Sequence, residues 1–308
     1  MNTTHYCYTG QGRFHLKNYS TCDTAGFSSK EETLPLLKEN QKQMAMLQDR
    51  LYAENKESIL VIFQAMDAAG KDSAIKHVIS GVNPQGVSVR NFKQPSSEEL
   101  DHDYLWRAFR ALPERGNIGI FNRSYYEDVL VVKVHGLHRN AQLPERCITE
   151  HLFDQRYQQI CHFENYLHQN GIRVIKIFLH LSREEQKKRF LKRIDKPEKN
   201  WKFSQSDIEE RVFWDDYQNA YEQAIQHTSS KQAPWYIVPA DKKWFARLVI
   251  SQIIVDVLND INPQYPALPE ETKRMLQQCR EQLLTEDQNS GNTISAVVSS
   301  VEKEQDEI

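Results

Sequence analysis

The chain has 308 residues, is 39% hydrophobic, has a mean hydropathy of −0.68 and carries a formal net charge of −3. That is enough apolar material for one large core, and with no apolar run near bilayer length a transmembrane helix is excluded. The negative balance argues against bulk nucleic-acid binding, and five scattered cysteines without a Cys-x-x-Cys pair argue against a disulfide framework or a zinc site.

The N-terminus lacks the charged and apolar regions of a signal peptide, so a cytoplasmic protein is expected. Residues 1–30 are polar and read as irregular. Pro35 at a first helical turn, followed by Leu36, Leu37, Met44, Leu47 and Leu51, predicts an amphipathic helix over 35–55, free to pack on the sheet or on a partner chain.

The apolar run Ile59 to Phe63 then breaks into small residues before a helix-like segment over 73–80. Strand, tight loop and helix in that order aim backbone N–H groups and a helix N-terminus at one spot, where a phosphate can sit on Ala68, Ala69, Gly70, Lys71, Asp72 and Ser73. The Walker A pattern asks for Gly-x-x-x-x-Gly-Lys-Ser/Thr, whereas Ala65-Met-Asp-Ala-Ala-Gly70-Lys71-Asp72 lacks the first glycine and the final hydroxyl. Asp67 beside the phosphate-binding lysine disfavours an anion unless a divalent cation stands between them, which points to Mg²⁺, with Mn²⁺ as its substitute. The plain alternative is an ordinary turn in which Asp67 caps the helix.

A turn over 81–86 leads to an alternating strand over 87–92, and a helix is predicted from Ser96 to Leu112, ended by Pro113. The strand over 116–121 runs into Asn122, Arg123 and Ser124, at the strand end where open α/β sheets bind ligands. Asn122 stands where a Walker B acid would reach metal, and Arg123 can hold phosphate, unless this is merely a polar turn with a surface arginine. Residues 125–134 are read as helix, 144–169 as a long helix and 173–181 as a strand.

From Arg183 to Lys202 there are nine basic residues against four acidic ones, on a chain that is acidic overall. At helical spacing, Lys188, Arg189, Lys192 and Arg193 belong to a broad positive face anchored by Phe190, Leu191 and Ile194; such a run either solvates a surface or, on an otherwise acidic chain, meets a polyanion, and the second reading is favoured here. Pro197 and the run Lys199-Asn-Trp-Lys202-Phe-Ser204 break the helix, and Asp207 is read as the cap of another long helix to about 226. This excursion over about 183–210 has the form of a lid. A strand over 235–240 and a helix over 242–258 complete the domain, expected to span 31–268. Residues 269–308 are polar and expected to be largely disordered, above all 287–308.

In combination and in this order, Leu47-Gln-Asp-Arg-Leu-Tyr-Ala53, Gln64-Ala-Met-Asp-Ala-Ala-Gly-Lys-Asp72, Ile79-Ser-Gly-Val-Asn-Pro-Gln-Gly86, Leu112-Pro-Glu-Arg-Gly116, Phe121-Asn-Arg-Ser-Tyr-Tyr-Glu127 and Trp201-Lys-Phe-Ser204 resemble the polyphosphate kinase 2 family, most closely its class III. The resemblance covers about 13–265. It implies a P-loop kinase-like three-layer α/β/α sandwich with a parallel sheet and a helical lid. It also implies reversible transfer of the terminal phosphoryl group of inorganic polyphosphate to AMP or ADP, giving ADP or ATP, in a homo-oligomer. On that resemblance Lys71, Asp67 and Arg123 are catalytic, and Asn122, Arg123 and Glu127 face the nucleotide. Asp67 and Asn122 face the metal, and Arg189, Arg193 and Lys202 fall on the basic lid; Lys188, Lys192 and Lys199 of the same basic run join them as expected polyphosphate contacts. Other branches of the family carry aspartate in place of Asn122, which makes Asp67 the stronger metal candidate. The residues by themselves leave two rivals: an ATP-dependent nucleotide or small-molecule kinase, and a non-catalytic polyanion-binding module.

Overall fold

The computed structural model describes residues 1–140 and 142–285. Six strands form one sheet: β1 (Cys7–Tyr8), β2 (Ser58–Ala65), β3 (Val87–Asn91), β4 (Ile118–Asn122), β5 (Ile172–His180) and β6 (Trp235–Pro239). The spatial order is β3-β4-β2-β5-β6-β1; β1 pairs antiparallel with β6 and every other pairing is parallel. The six longer helices up to residue 261 are α1 (Lys30–Glu54), α2 (Lys71–Val78), α3 (Leu152–Gln169), α4 (Arg183–Ile194), α5 (Trp214–Thr228) and α6 (Lys243–Ile261).

β2 is buried along its whole length because helices cover both faces of the sheet, and its centre, Ile59 to Phe63, is accordingly an unbroken apolar run. Ile59, Val61 and Phe63 pack on the side of α1, α2 and α6, whereas Leu60 and Ile62 pack on the side of α3 and α5. The helix that follows β2 and the helices that follow its neighbour β4 therefore lie on opposite faces. This reversal opens a crevice at the C-terminal ends of the strands. α6 is apolar nearly all round, with ten buried residues from Phe245 to Leu258, and it lies beneath α1 and α2 as the centre of its layer.

Several boundaries differ from the sequence reading. The first thirty residues are not merely irregular: Tyr6, Tyr8, Phe14 and Leu16 are buried, and Cys7 and Tyr8 add the antiparallel edge strand. α1 starts at Lys30, because Ser29 caps it by accepting the Glu32 N–H; Pro35 is thus carried inside the helix. The helix expected from Ser96 to Leu112 is two single turns, Ser97–Leu100 and Trp106–Phe109. Asp103 interrupts it by accepting the Leu105 N–H on its side chain, a local bond that competes with the helix. The span 125–134 is helical but divides into a 3₁₀ turn, Tyr125–Asp128, and an α turn, Val131–Val134. α3 begins at Leu152, after a separate 3₁₀ turn at Glu145–Cys147. The helix expected from Asp207 to 226 comes in three pieces, Ser206–Glu209, Glu210–Phe213 and α5; Asp207 lies inside the first turn and accepts the Ser204 N–H at 3.2 Å.

Two compact units divide at Gln264 and Tyr265. Where the sequence reads as polar tail, residues 270–285 are helical, in keeping with their Glu, Lys, Arg, Gln and Leu content and an ion pair of 2.6 Å between Lys273 and Glu270. The expected disorder over 287–308 lies outside the described residues. Among the described residues no helix is long and apolar enough to cross a membrane.

Under the sheet, Lys176 of β5 is fully buried and donates to the Glu164 carboxylate of α3 and, at 2.7 Å, to the Thr228 carbonyl. The Tyr125 hydroxyl donates to Glu164 Oε1 at 2.9 Å, and the Tyr126 hydroxyl lies 2.8 Å from the same oxygen and 2.9 Å from Thr228 Oγ1. This network pins the residues just after β4. Removing one member leaves a buried charge uncompensated: Glu164→Ala is expected to lower stability by about 3–5 kcal/mol in urea unfolding. Lys176→Met combined with Glu164→Gln, which keeps an acceptor for the tyrosines, should cost less than Glu164→Ala alone.

Candidate active site

The loop between β2 and α2 turns through two left-handed residues, Ala68 with φ 61° and Gly70 with φ 104°. Gly70 needs that freedom as the N-cap of α2, a position without a side-chain cap, and the first-turn N–H groups of α2 have no helical acceptor. The Lys71 side chain folds back so that its ammonium donates to the Ala65 carbonyl at 2.9 Å. Burial pulls the Lys71 pKa down, helped by Arg123 and opposed by Asp67, Glu127 and Asp72.

At the neighbouring strand end, Arg123 also has positive φ, 62°, and its N–H bonds to the Phe63 carbonyl, which ties the β4 terminus to β2. Its guanidinium lies 3.2 Å from the Asp67 carboxylate, a pair left over a third exposed to the crevice. Asn122 donates through Nδ2 to Asp72 Oδ1 at 2.7 Å and to Asn91 Oδ1 at 2.8 Å, so it links the ends of β3 and β4 to the first turn of α2. Glu127 stands behind Arg123 and Lys71; burial raises its pKa, and these two cations oppose the rise. The structure thus brings Asp67, Lys71, Asp72, Asn122, Arg123 and Glu127 together at one edge of the sheet.

The basic segment divides by role. Lys188 and Lys192 are exposed on α4, and Lys202 is exposed on the loop beyond, with its ammonium 4.8 Å from the centre of the Trp201 ring; Lys199 is half-buried. Arg193 turns toward its own loop, donating to the Lys202 carbonyl at 3.3 Å and lying 3.5 Å from Asp207. Arg189 is only 7% exposed. Its guanidinium donates to the carbonyls of Ala68 at 3.2 Å and Ala69 at 2.6 Å, and to those of Ala240 and Asp241, with Glu185 accepting from Nε at 2.9 Å. It holds the loop between β2 and α2 to the end of β6.

Four participants escaped the sequence reading. Gln186 donates to the Asp67 carbonyl at 2.9 Å and accepts from Arg211. Arg247 donates to Ser73 Oγ at 2.9 Å, and Lys243 comes beside Gly70. Gln186 and Arg211 carry no signal in the sequence. Lys243 and Arg247, four apart directly after the last strand, do offer one, but in a chain with 39 basic residues that signal is weak.

A twisted parallel sheet with a cation-lined strand-loop-helix turn at a switch point, and a basic helical excursion over it, defines a P-loop phosphotransferase of the kinase type. The family profile described as Polyphosphate kinase 2 (PPK2) matches residues 27–266. The chain is 52% identical over 260 residues to an ADP-polyphosphate phosphotransferase of Rhodopseudomonas palustris, covering 84% of this chain and 90% of that protein. It is 44% identical over 256 residues to an AMP/ADP-polyphosphate phosphotransferase of Meiothermus ruber, covering 83% and 92%. The crystal structure of a polyphosphate kinase 2 from Arthrobacter aurescens superposes with a TM-score of 0.78 at 38% identity, covering 85% of this chain and 92% of that one. The protein belongs to the polyphosphate kinase 2 family.

Lysine has neither the fork nor the reach to meet both sets of carbonyls. Arg189→Lys is therefore expected to reduce kcat/KM about tenfold or more while leaving far-UV circular dichroism unchanged, measured by steady-state kinetics. A second prediction concerns Asp128, whose carboxyl burial lifts to about 6 against the pull of Arg156 and Arg107. The native protein therefore holds this proton to higher pH than the unfolded chain does. The resulting stability is fully present below about pH 4 and is lost as pH rises through about 6. Asp128→Asn should flatten the stability profile over that window, as read from urea midpoints across pH.

Proposed function

We propose that the protein transfers the terminal phosphoryl group of inorganic polyphosphate to AMP, ADP or both, reversibly, forming ADP and ATP. The observation that carries the reading is the grouping of Lys71, Arg123 and Asp67 at the mouth of the Walker-type loop, with the basic α4 joined to that loop through Arg189. The names of the two relatives, ADP-polyphosphate and AMP/ADP-polyphosphate phosphotransferase, support both the donor and the acceptor class.

An acceptor nucleotide phosphate is already ionised at neutral pH, so no general base is required, and catalysis reduces to in-line positioning and neutralisation of charge. Lys71 and the first-turn N–H groups of α2 receive phosphoryl oxygens, and Arg123 stabilises charge across from them. Glu127 keeps both cations oriented. Asp67 and Arg123 neutralise each other in the free protein, so an arriving phosphate competes for Arg123 and leaves the Asp67 carboxylate to a cation.

Among the described residues no group of three or more His, Cys, Asp or Glu forms a metal cage. An accessible carboxylate outside any such cage suits Mg²⁺, which keeps several waters and is bound through one or two carboxylates and substrate phosphates. Asp67 would hold it, with Mn²⁺ able to replace it. The side-chain oxygen of Asn122 is the only atom of its amide left over once Nδ2 has donated twice. The ion, when bound, neutralises phosphate charge.

The test is ATP or ADP formation from AMP and from ADP, in separate reactions with long-chain polyphosphate and Mg²⁺, comparing the wild type with Lys71→Ala. Product in the wild type and a loss of about 10²-fold or more in the variant is expected. The AMP reaction decides between one phosphorylation and two. A folded wild type that turns over neither acceptor, yet phosphorylates one with ATP as donor, would transfer the assignment to an ATP-dependent kinase.

A further inference from the structure

We infer that the Asp241 carboxylate and the Thr21 hydroxyl are positioning groups for the transfer site, which hold the Arg189 guanidinium from behind and make residues 1–29 a working part of the enzyme. The inference rests on the phosphoryl-transfer reading above for the reaction. It adds a support that begins outside residues 27–266, the span matched by the family profile.

Residues 1–29 form a strap with three anchors. β1 pairs Cys7 with Tyr236 and Tyr8 with Trp235. On α5, Gln226 accepts the Phe14 N–H at 2.6 Å and Glu222 accepts the Leu16 N–H at 2.8 Å. These two anchors bury Tyr6, Tyr8, Phe14 and Leu16 and so belong to the core. The third anchor is Asp241, in the turn from β6 to α6. Its N–H donates to the Thr21 carbonyl at 3.0 Å, and its carboxylate accepts the Thr21 hydroxyl at 2.9 Å. Thr21 and Asp241 are both only half-buried, so this anchor adds little to the core.

The same carboxylate closes a ring around Arg189. Its other oxygen accepts the N–H of Ser182 at 2.8 Å, and Ser182 is the N-cap of α4, the end of the helix that favours negative charge. Two turns further on, α4 carries Arg189, whose guanidinium returns to the carbonyls of Ala240 and Asp241. Asp241 thus fixes both the helix that supplies the guanidinium and the peptide that receives it. That peptide has modest support otherwise: Ala240 donates its N–H to the His180 carbonyl at 2.9 Å, and α6 opens on Lys242 without a side-chain cap. At its other side Arg189 donates to Ala68 and Ala69, in the loop that carries Asp67 and Lys71. A shift at Asp241 is therefore passed to the Walker-type loop through one rigid planar group.

The experiment reads Arg189 directly and then the reaction. The full chain is labelled with ¹⁵N, and the Arg189 Nε–H resonance is assigned by its loss in Arg189→Lys; that proton is buried and bonded to Glu185, which slows its exchange. We expect Asp241→Ala and Thr21→Val to shift this resonance and to speed its exchange with water about tenfold or more. Thr21→Ser keeps the hydroxyl, and Asp241→Asn keeps the acceptor for Ser182 and can donate to Thr21 Oγ1, so both should stay within about twofold of the wild type. The same holds for Glu222→Ala, which releases the strap from α5 alone. An undisturbed signal in Asp241→Ala would overturn the assignment, as would a disturbance by Glu222→Ala as large as that by Asp241→Ala. In steady-state kinetics with polyphosphate and ADP, Asp241→Ala should lose about tenfold or more in kcat/KM. Adding Arg189→Lys to it should cost less than about twofold further, because the two act through one contact. Losses that multiply, or an unchanged kcat/KM beside a disturbed signal, would overturn the role in positioning. Should Asp241→Ala fail to fold, Thr21→Val and Thr21→Ser decide: the first must disturb signal and rate, and the second must preserve both. A wild type whose Arg189 signal responds as expected but which transfers nothing to AMP or ADP would refute the proposed function while upholding the brace.

Discussion

The buried guanidinium of Arg189 is the constraint on which the site depends. Its position on α4 puts both terminal nitrogens within reach of four carbonyls from two separate turns, the loop after β2 and the turn after β6. Both turns end strands that are not adjacent in the sheet, since β5 lies between them. Without a rigid polar bridge each would present unpaired carbonyls to the crevice, and a phosphate-binding loop lined by free carbonyls repels its ligand. With the bridge in place the carbonyls are consumed on one side, leaving N–H groups and cations on the other. Gln186, one helical step away, completes the bracing by donating to the Asp67 carbonyl.

The departures from the Walker ideal compensate one another. Asp72 replaces the hydroxyl residue and Asn122 replaces the Walker B acid, and the two are hydrogen bonded to each other. An aspartate at both positions would have placed two carboxylates in contact, with the repulsion that raises one of their pKa values. The amide converts that repulsion into a donor-acceptor bond and extends it to Asn91. The carboxylate nearest the transfer site is then Asp67, balanced in the free protein by Arg123. A parallel balance operates beneath the sheet, where the Lys176 and Glu164 pair is satisfied by Thr228 and the two tyrosines after Ser124. The backbone of Arg123 in its left-handed conformation is held from both sides, by the Phe63 carbonyl above and by this network below.

Charge is distributed unevenly to serve the same end. The chain is acidic overall, yet the crevice at the C-terminal ends of the strands gathers Lys71, Arg123, Arg189, Lys243 and Arg247. Burial lowers the pKa of both Lys71 and Lys243, and neighbouring cations add to the effect.

The sequence by itself determined the order of strand, loop and helix, the Walker-type turn at Gly70 and Lys71, the strand end at Asn122 and Arg123, and the basic character of α4. These are local properties, written in apolar runs, glycine and charge spacing, and they led to the family. It also misjudged where helices start and break, because Ser29, Asp103 and Asp207 act through single side-chain bonds to backbone that propensity does not weigh. Only the tertiary structure decided which cations of α4 stay exposed and which hold the scaffold. Arg189 and Lys192 are neighbours on one helix, yet one is buried against four carbonyls and the other is exposed, because α4 packs one side against the turns after β2 and β6. Lys243 and Arg247 enter the site from more than 160 residues away along the chain. Their meeting with Gly70 and Ser73 follows from the placement of α6 beside α2 in the same layer, a long-range arrangement to which no local pattern in the chain corresponds.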